Sequence, residues 1–214
     1  MGTLEKRIDT FKRLVDIIGP ERVVWRFDPL LLTTEITEET LLTSIDRIGE
    51  VLSGYTQKLV ISFADIVNYR KVKRNLAEAE IQWINWKEDR MISFATVLQA
   101  MIRPRGMTVA SCSEAIDLSS CGINHNHCIE EDSIIRLAYR NSVLMNYLQT
   151  AILRKAEVQP EMINLALSLP DGSYAIKAKT STKANLTFYK DPGQRKACGC
   201  TRAKDIGEYD TCLH

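Results

Sequence analysis

Three short runs rich in apolar and β-branched residues, Val23–Phe27, Lys58–Phe63 and Met107–Cys112, are separated by longer segments whose apolar residues recur at helical spacing. This alternation constrains the fold more than any other feature. Runs of about five or six residues suit buried strands, and strands alternating with helices of about 10–15 residues pair in parallel through right-handed crossovers. The expected class is therefore α/β: a partial (β/α) barrel with parallel strands, followed by a cysteine-rich C-terminal loop segment.

The local signals give the order α-β-α-β-α-α-β. Leu4, Ile8, Phe11, Leu14, Val15 and Ile18 share a helical face, and Gly19-Pro20 stops that helix. Asp28-Pro29 ends the first strand. Thr37 caps a helix running through Ile48 and Leu52, with Glu38 and Glu39 in its first turn, where carboxylates suit the dipole. Helices are predicted over Tyr69–Ile81 and Ile92–Ile102, the second stopping near Pro104 and Gly106. Ser113–His127 reads as a loop and Glu130–Leu153 as helix, broken near Asn141. Asp171-Gly172 is a turn signal, and Tyr174–Ile176 with Leu186–Phe188 suggest a small hairpin. The expected division is residues 1–134 as the partial barrel, 135–189 as a helical insertion with the hairpin, and 190–214 as a cysteine-rich tail.

Charge and hydropathy narrow the function classes. The chain has 214 residues, 45% of them hydrophobic, enough for a core that needs no disulfides. Its 28 Lys+Arg nearly balance 27 Asp+Glu, so no long-range field steers it to nucleic acid. The basic run Arg70–Arg74 reads as a solvated helix face, and Trp83 and Trp86 as core or subunit contacts. The longest apolar stretch, Leu59–Val67, is interrupted by Ser62 and Asp65, far short of the roughly 20 residues that span a bilayer. The N-terminus lacks the apolar core of a secretory signal. A cytoplasmic location without membrane contact is expected. In that reducing compartment the six cysteines read as thiols or metal ligands before disulfides.

Candidate chemistry collects at two places. In parallel α/β folds the C-terminal strand ends line the site. Here they carry Arg26 and Asp28, then Ser62 and Asp65, then Cys112, Ser113 and Glu114. The plainer reading is that polar residues simply end strands. The second place is the cysteine set. Cys198-Gly199-Cys200 puts two thiols within reach of one metal, Cys212 follows with His214 two residues on, and Cys112 and Cys128 flank the His125-Asn126-His127 loop. Soft thiolates suit zinc or an iron–sulfur cluster. Six unrelated thiols is the alternative, with Cys121 the most ordinary of them, and the two histidines lean toward hydrogen-bonded loop groups.

The segments VVWRFDPLLLT, YTQKLVISFADIV, TVASCSEAIDLSSCGINHNHCIEED and KDPGQRKACGCTRAKDIGEYDTCLH resemble the bacterial domain-of-unknown-function 1848 family. In that family the tail continues into a CxxxCxxC motif similar to the cluster-binding motif of radical S-adenosylmethionine (SAM) enzymes. The resemblance implies a [4Fe–4S] protein with SAM as cofactor in the full-length form. Cys212 matches the first cysteine of the triplet, so this chain is expected to be a fragment, shortened at both ends, that does not cleave SAM. Cys112, Cys128, Cys198 and Cys200 match family cysteines and imply one further cluster or a zinc ion. Arg26, Asp28 and Glu114 match family positions at strand ends and imply catalytic contacts to substrate or cofactor. The resemblance supplies no substrate. A non-catalytic zinc- or cluster-binding α/β module is the alternative, and self-association through an open sheet edge is a third possibility.

Overall fold

The computed structural model describes residues 2–177 and Cys200. They fall into two compact units that divide between Asn126 and His127. None of the described helices is long and apolar enough to cross a membrane.

In the first unit, α1 (Leu4–Ile18) starts at Thr3, whose side chain accepts from the Lys6 N–H, and ends at Gly19 with φ +90°, a conformation open to glycine. Strand β1 (Trp25–Leu30) and the short β2 (Leu32–Thr33) follow. Helix α2 (Glu38–Leu52) begins in a reciprocal cap: the Thr40 N–H donates to Thr37 Oγ1 at 3.2 Å, and the Thr37 N–H donates to Thr40 Oγ1 at 2.8 Å. Then come β3 (Lys58–Phe63), α3 (Arg70–Glu78), the short β4 (Trp83–Ile84), α4 (Glu88–Ile102), β5 (Thr108–Ser111) and β6 (Asn124–His125).

Four strands form one parallel sheet in the order β1-β3-β5-β6, which is their order along the chain. Among the described residues it is an open sheet. Side chains alternate between its faces. Trp25, Leu59, Ile61, Phe63 and Val109 join Leu41, Ile45 and Leu52 of α2 and Phe94, Leu98 and Ile102 of α4 in a single core. Val60, Ser62, Ala110 and Cys112 therefore point to the opposite face. Burying the apolar stripes of α2 and α4 on the first face is the dominant stabilising contribution, at about 1.5–3 kcal/mol per buried large side chain.

The first strand runs on through Asp28-Pro29 rather than ending there. Phe27 pairs with Ile61 and Leu30 with Phe63, so Asp28 and Pro29 together occupy the one position opposite Ser62. The ladder is irregular at this point, which accommodates a residue without an N–H. The segment expected to be a loop after Cys112 contains β6, whose backbone extends the sheet although both its side chains are exposed.

The second unit departs further from expectation. Its helices are α5 (Glu131–Ala138) and α6 (Ser142–Tyr147), separated where Asn141 caps α6 by accepting the Leu144 N–H at 3.0 Å. The helix stops well before Leu153. Gln149 has φ +50°, and Thr150–Leu153 is strand β7. It pairs with β9 (Tyr174–Lys177), which also pairs with β8 (Leu167–Ser168) across the Asp171-Gly172 turn. Tyr174–Ile176 is thus a strand whose partners are β7 and β8. Leu186–Phe188 lies outside the described residues. The unit is mixed, with an antiparallel three-stranded sheet and a small core of Ile135, Met145, Leu148, Leu169 and Ala175.

Candidate functional site

The face of the parallel sheet turned away from α2 and α4 carries a polar row at its C-terminal edge. Arg26, Val60, Ala110 and Asn124 stand side by side across the four strands. Two residues further on, Asp28, Ser62, Cys112 and Asn126 form the next row. The ladder reaches it, because the Cys112 N–H donates to the Ile61 carbonyl at 2.8 Å and the Asn126 N–H to the Ser111 carbonyl at 2.6 Å. Ser62, Cys112 and Asn126 are all less than a tenth exposed. Buried polar side chains are uncommon without a structural or functional reason.

Arg26 and Asp28 meet on this face. The guanidinium donates through Nε and Nη2 to Asp28 Oδ2, at 3.0 and 2.5 Å. Charge-assisted contacts of this kind fix the orientation of both groups. Glu114 reaches back from the loop after β5, where its Oε1 accepts the Phe63 N–H at 2.8 Å. Before it, Ser113 has φ +55°, so the backbone turns sharply as it leaves β5. Further along the same loop, the backbone N–H of Ser119 donates to Asp117 at 2.9 Å. This contact, then the Ser119 side chain and the charge of His125, hold the Asp117 carboxyl below the usual carboxylate range. Asp65, also at a strand end, is exposed and accepts from the backbone and side chain of Asn68, which makes it a turn residue.

Two of the expected metal ligands come together in the second unit. Cys200 Sγ accepts the N–H of Cys128 at 2.9 Å and that of Ile129 at 3.5 Å. Two consecutive amides aimed at one sulfur favour its thiolate form, the form in which cysteine ligates a metal. Cys112 belongs to the buried row of the first unit. Cys198 and Cys212 lie outside the described residues, as does His214. Cys121 packs against the apolar core, and Thr96 Oγ1 lies 3.4 Å from its sulfur. His125 and His127 are exposed. No group of three or more Cys, His, Asp or Glu side chains with metal-ligating geometry occurs among the described residues.

Strand-end reasoning found Arg26, Asp28, Ser62, Cys112 and Glu114, but it passed over Asn126. Nothing in a polar loop marks one asparagine as buried. Its register opposite Cys112 follows only from the pairing of β6 with β5.

The family described as Domain of unknown function (DUF1848) matches residues 1–214, the whole chain. Neither a curated protein nor a solved structure matches.

Proposed function

The chain belongs to the DUF1848 family, and we propose that it is a thiolate-ligated iron–sulfur protein in which Cys200 and Cys128 supply two of the ligands. The observation that carries this reading is the pair of backbone N–H groups converging on the Cys200 sulfur. A neutral thiol is a weak acceptor. Amide donors around a cysteine sulfur are among the levers that set the potential of a thiolate-bound cluster. The donor set fits a soft metal: thiolates, with the sequence Cys198-Gly199-Cys200 placing a further thiol two positions from Cys200.

When bound, an iron–sulfur cluster supplies one-electron chemistry. The chain's own residues supply the rest. The Cys128 and Ile129 amides orient and polarise the Cys200 sulfur. The Arg26–Asp28 pair and the tethered Glu114 present charged groups at the C-terminal edge of the parallel sheet, the usual position for substrate contacts. With Arg26 donating to Asp28, the carboxylate is held in a fixed orientation. It can then accept a hydrogen bond from a substrate N–H or O–H.

The experiment is anaerobic purification of the full chain with iron, sulfide and zinc analysis and electron paramagnetic resonance of the reduced protein. Iron with matching sulfide is expected, with most of it lost in Cys200→Ser and Cys128→Ser. Serine variants at Cys112, Cys198 and Cys212 identify the remaining ligands. Zinc without sulfide replaces the cluster reading with a structural zinc module. Protein that holds no metal after reconstitution ends both.

A further inference from the structure

Strand β8 stops short of the end of β9. It pairs Leu167 with Ala175 and Ser168 with Tyr174. Continued in the same register, Ala166 would stand opposite Ile176 and Leu165 opposite Lys177. Instead the Ala166 N–H donates to the Ile163 carbonyl at 3.2 Å, and the chain before β8 is the 3₁₀ segment Pro160–Leu165. Where the two segments part, a cleft of about 300 Å³ opens within the second unit.

The cleft is apolar on most sides and charged at one end. Ile135 and Ala175 line it and are buried, with Met162 and Leu167 beside them. Leu165 also lines it, with 74% of its surface in solvent. Its charged residues are Asp132 and Lys177. An apolar cleft with a few polar groups is the usual form of a small-ligand site, and this volume lies at the lower end of the range of about 300–1,000 Å³. The Lys177 ammonium donates to Asp132 Oδ1 at 2.7 Å and to Glu131 Oε2 at 3.2 Å. One ammonium therefore faces two carboxylates, and the group carries one excess negative charge. The lysine is engaged twice, while each carboxylate has a second oxygen besides the one that meets it.

We propose that this cleft binds a small aliphatic ammonium compound, its apolar tail against Ile135 and Leu167 and its charged head on the Asp132 carboxylate. Charge complementarity sets the sign of the head, and the apolar lining sets the tail. An anionic head meets the excess negative charge and a lysine that is already paired. A head without charge forgoes the charge-assisted hydrogen bond to Asp132. The volume restricts the ligand to a small molecule.

The test is an amide-resolved NMR titration of the full chain with isopentylamine, isopentyl alcohol and isocaproate, which carry the same branched tail behind a cationic, a neutral and an anionic head. The amine is expected to give saturable shifts at the amides of Leu165, Leu167 and Ile176. The alcohol should bind several-fold more weakly, and isocaproate not at all. Asp132→Asn should weaken amine binding by about tenfold, and Leu165→Ser several-fold. Lys177→Met should strengthen it by about twofold or more, since the excess negative charge grows. That gain separates a binding role from a structural one, because a variant that merely loosens the unit weakens binding. Circular dichroism checks that each variant keeps its fold. Absence of saturable shifts with the amine, equal binding of the three probes, tighter binding of isocaproate, or weaker amine binding in a folded Lys177→Met overturns the inference. So do shifts at the same amides on dilution without ligand, which mean that a second copy of the chain fills the cleft.

Discussion

The Glu114 carboxylate accepts the backbone N–H of Phe63 at 2.8 Å, and so holds the loop after β5 against the end of β3. Phe63 is the last residue of its strand and is buried, so without Glu114 its amide loses this acceptor in a place with little water. Glu114→Ala is expected to lower stability by about 1–3 kcal/mol. Glu114→Gln keeps a carbonyl acceptor and should cost less. Urea unfolding of the two variants checks the order, and equal losses would mean that the carboxylate matters for its charge alone.

Trp86 closes the other side of the same strand end. Its indole Nε1–H donates to the Leu30 carbonyl at 2.8 Å, and its ring meets Phe63 and Phe94 edge-on with centroids 4.8 and 5.2 Å away. Trp86→Phe keeps an aromatic ring but removes the donor, at about 1–3 kcal/mol. Trp86→Ala adds a cavity and should cost about 3–5 kcal/mol. Thermal or urea unfolding measures both.

In the second unit the Lys177 ammonium lies 2.7 Å from Asp132 and 3.2 Å from Glu131. Burial pushes it toward the neutral form, but the hydrogen bonds and charges of Asp132 and Glu131 outweigh that, so its pKa rises above 10.5. The folded state thus holds this proton more tightly than the unfolded chain. The contribution is fully present below pH 10.5 and is lost as the pH climbs through the raised folded value. Lys177→Met is expected to cost under about 1 kcal/mol at neutral pH, since the groups are partly exposed. It should also remove part of the decline in stability above about pH 10. Melting curves of the two proteins across that range compare the slopes.

The reciprocal Thr37–Thr40 cap predicts a graded response. Thr37→Ala removes the side-chain acceptor at the start of α2 and should lower stability by about 1 kcal/mol, while Thr37→Ser retains it and should cost little. Urea midpoints at constant slope settle the comparison.

What was legible in the chain was what local chemistry writes down. Leu4–Ile18 has a continuous apolar face and a stopping glycine, and α1 has those bounds. Lys58–Phe63 is a central strand buried on both faces, so its apolar run is uninterrupted apart from Ser62 and its limits are those of β3. Elements defined by their partners were less visible. β6 is an Asn-His pair with both side chains in solvent, and only its backbone pairing with β5 makes it a strand. Thr150–Leu153 continues the apolar spacing of the helices before it, and its pairing with β9 decides the matter. The candidate site divides the same way. Arg26, Asp28 and Glu114 follow from the rule that parallel strands present their C-terminal ends. Burial of Asn126 and the approach of Cys200 to Cys128, 72 positions apart, depend on contacts that no local pattern encodes.

The excursion bearing α3 leaves and rejoins the framework at neighbouring points. The Ala64 amide is bonded to Leu30 on the way out, and the Gln82 carbonyl to Thr34 on the return. Leu30 and Thr34 are only four residues apart, a span of at most about 14 Å. Only its first residues reach the interior, through the buried Ile66, while α3 itself buries none of its side chains. The charge carried on α3 can therefore change while the four parallel strands keep their pairing.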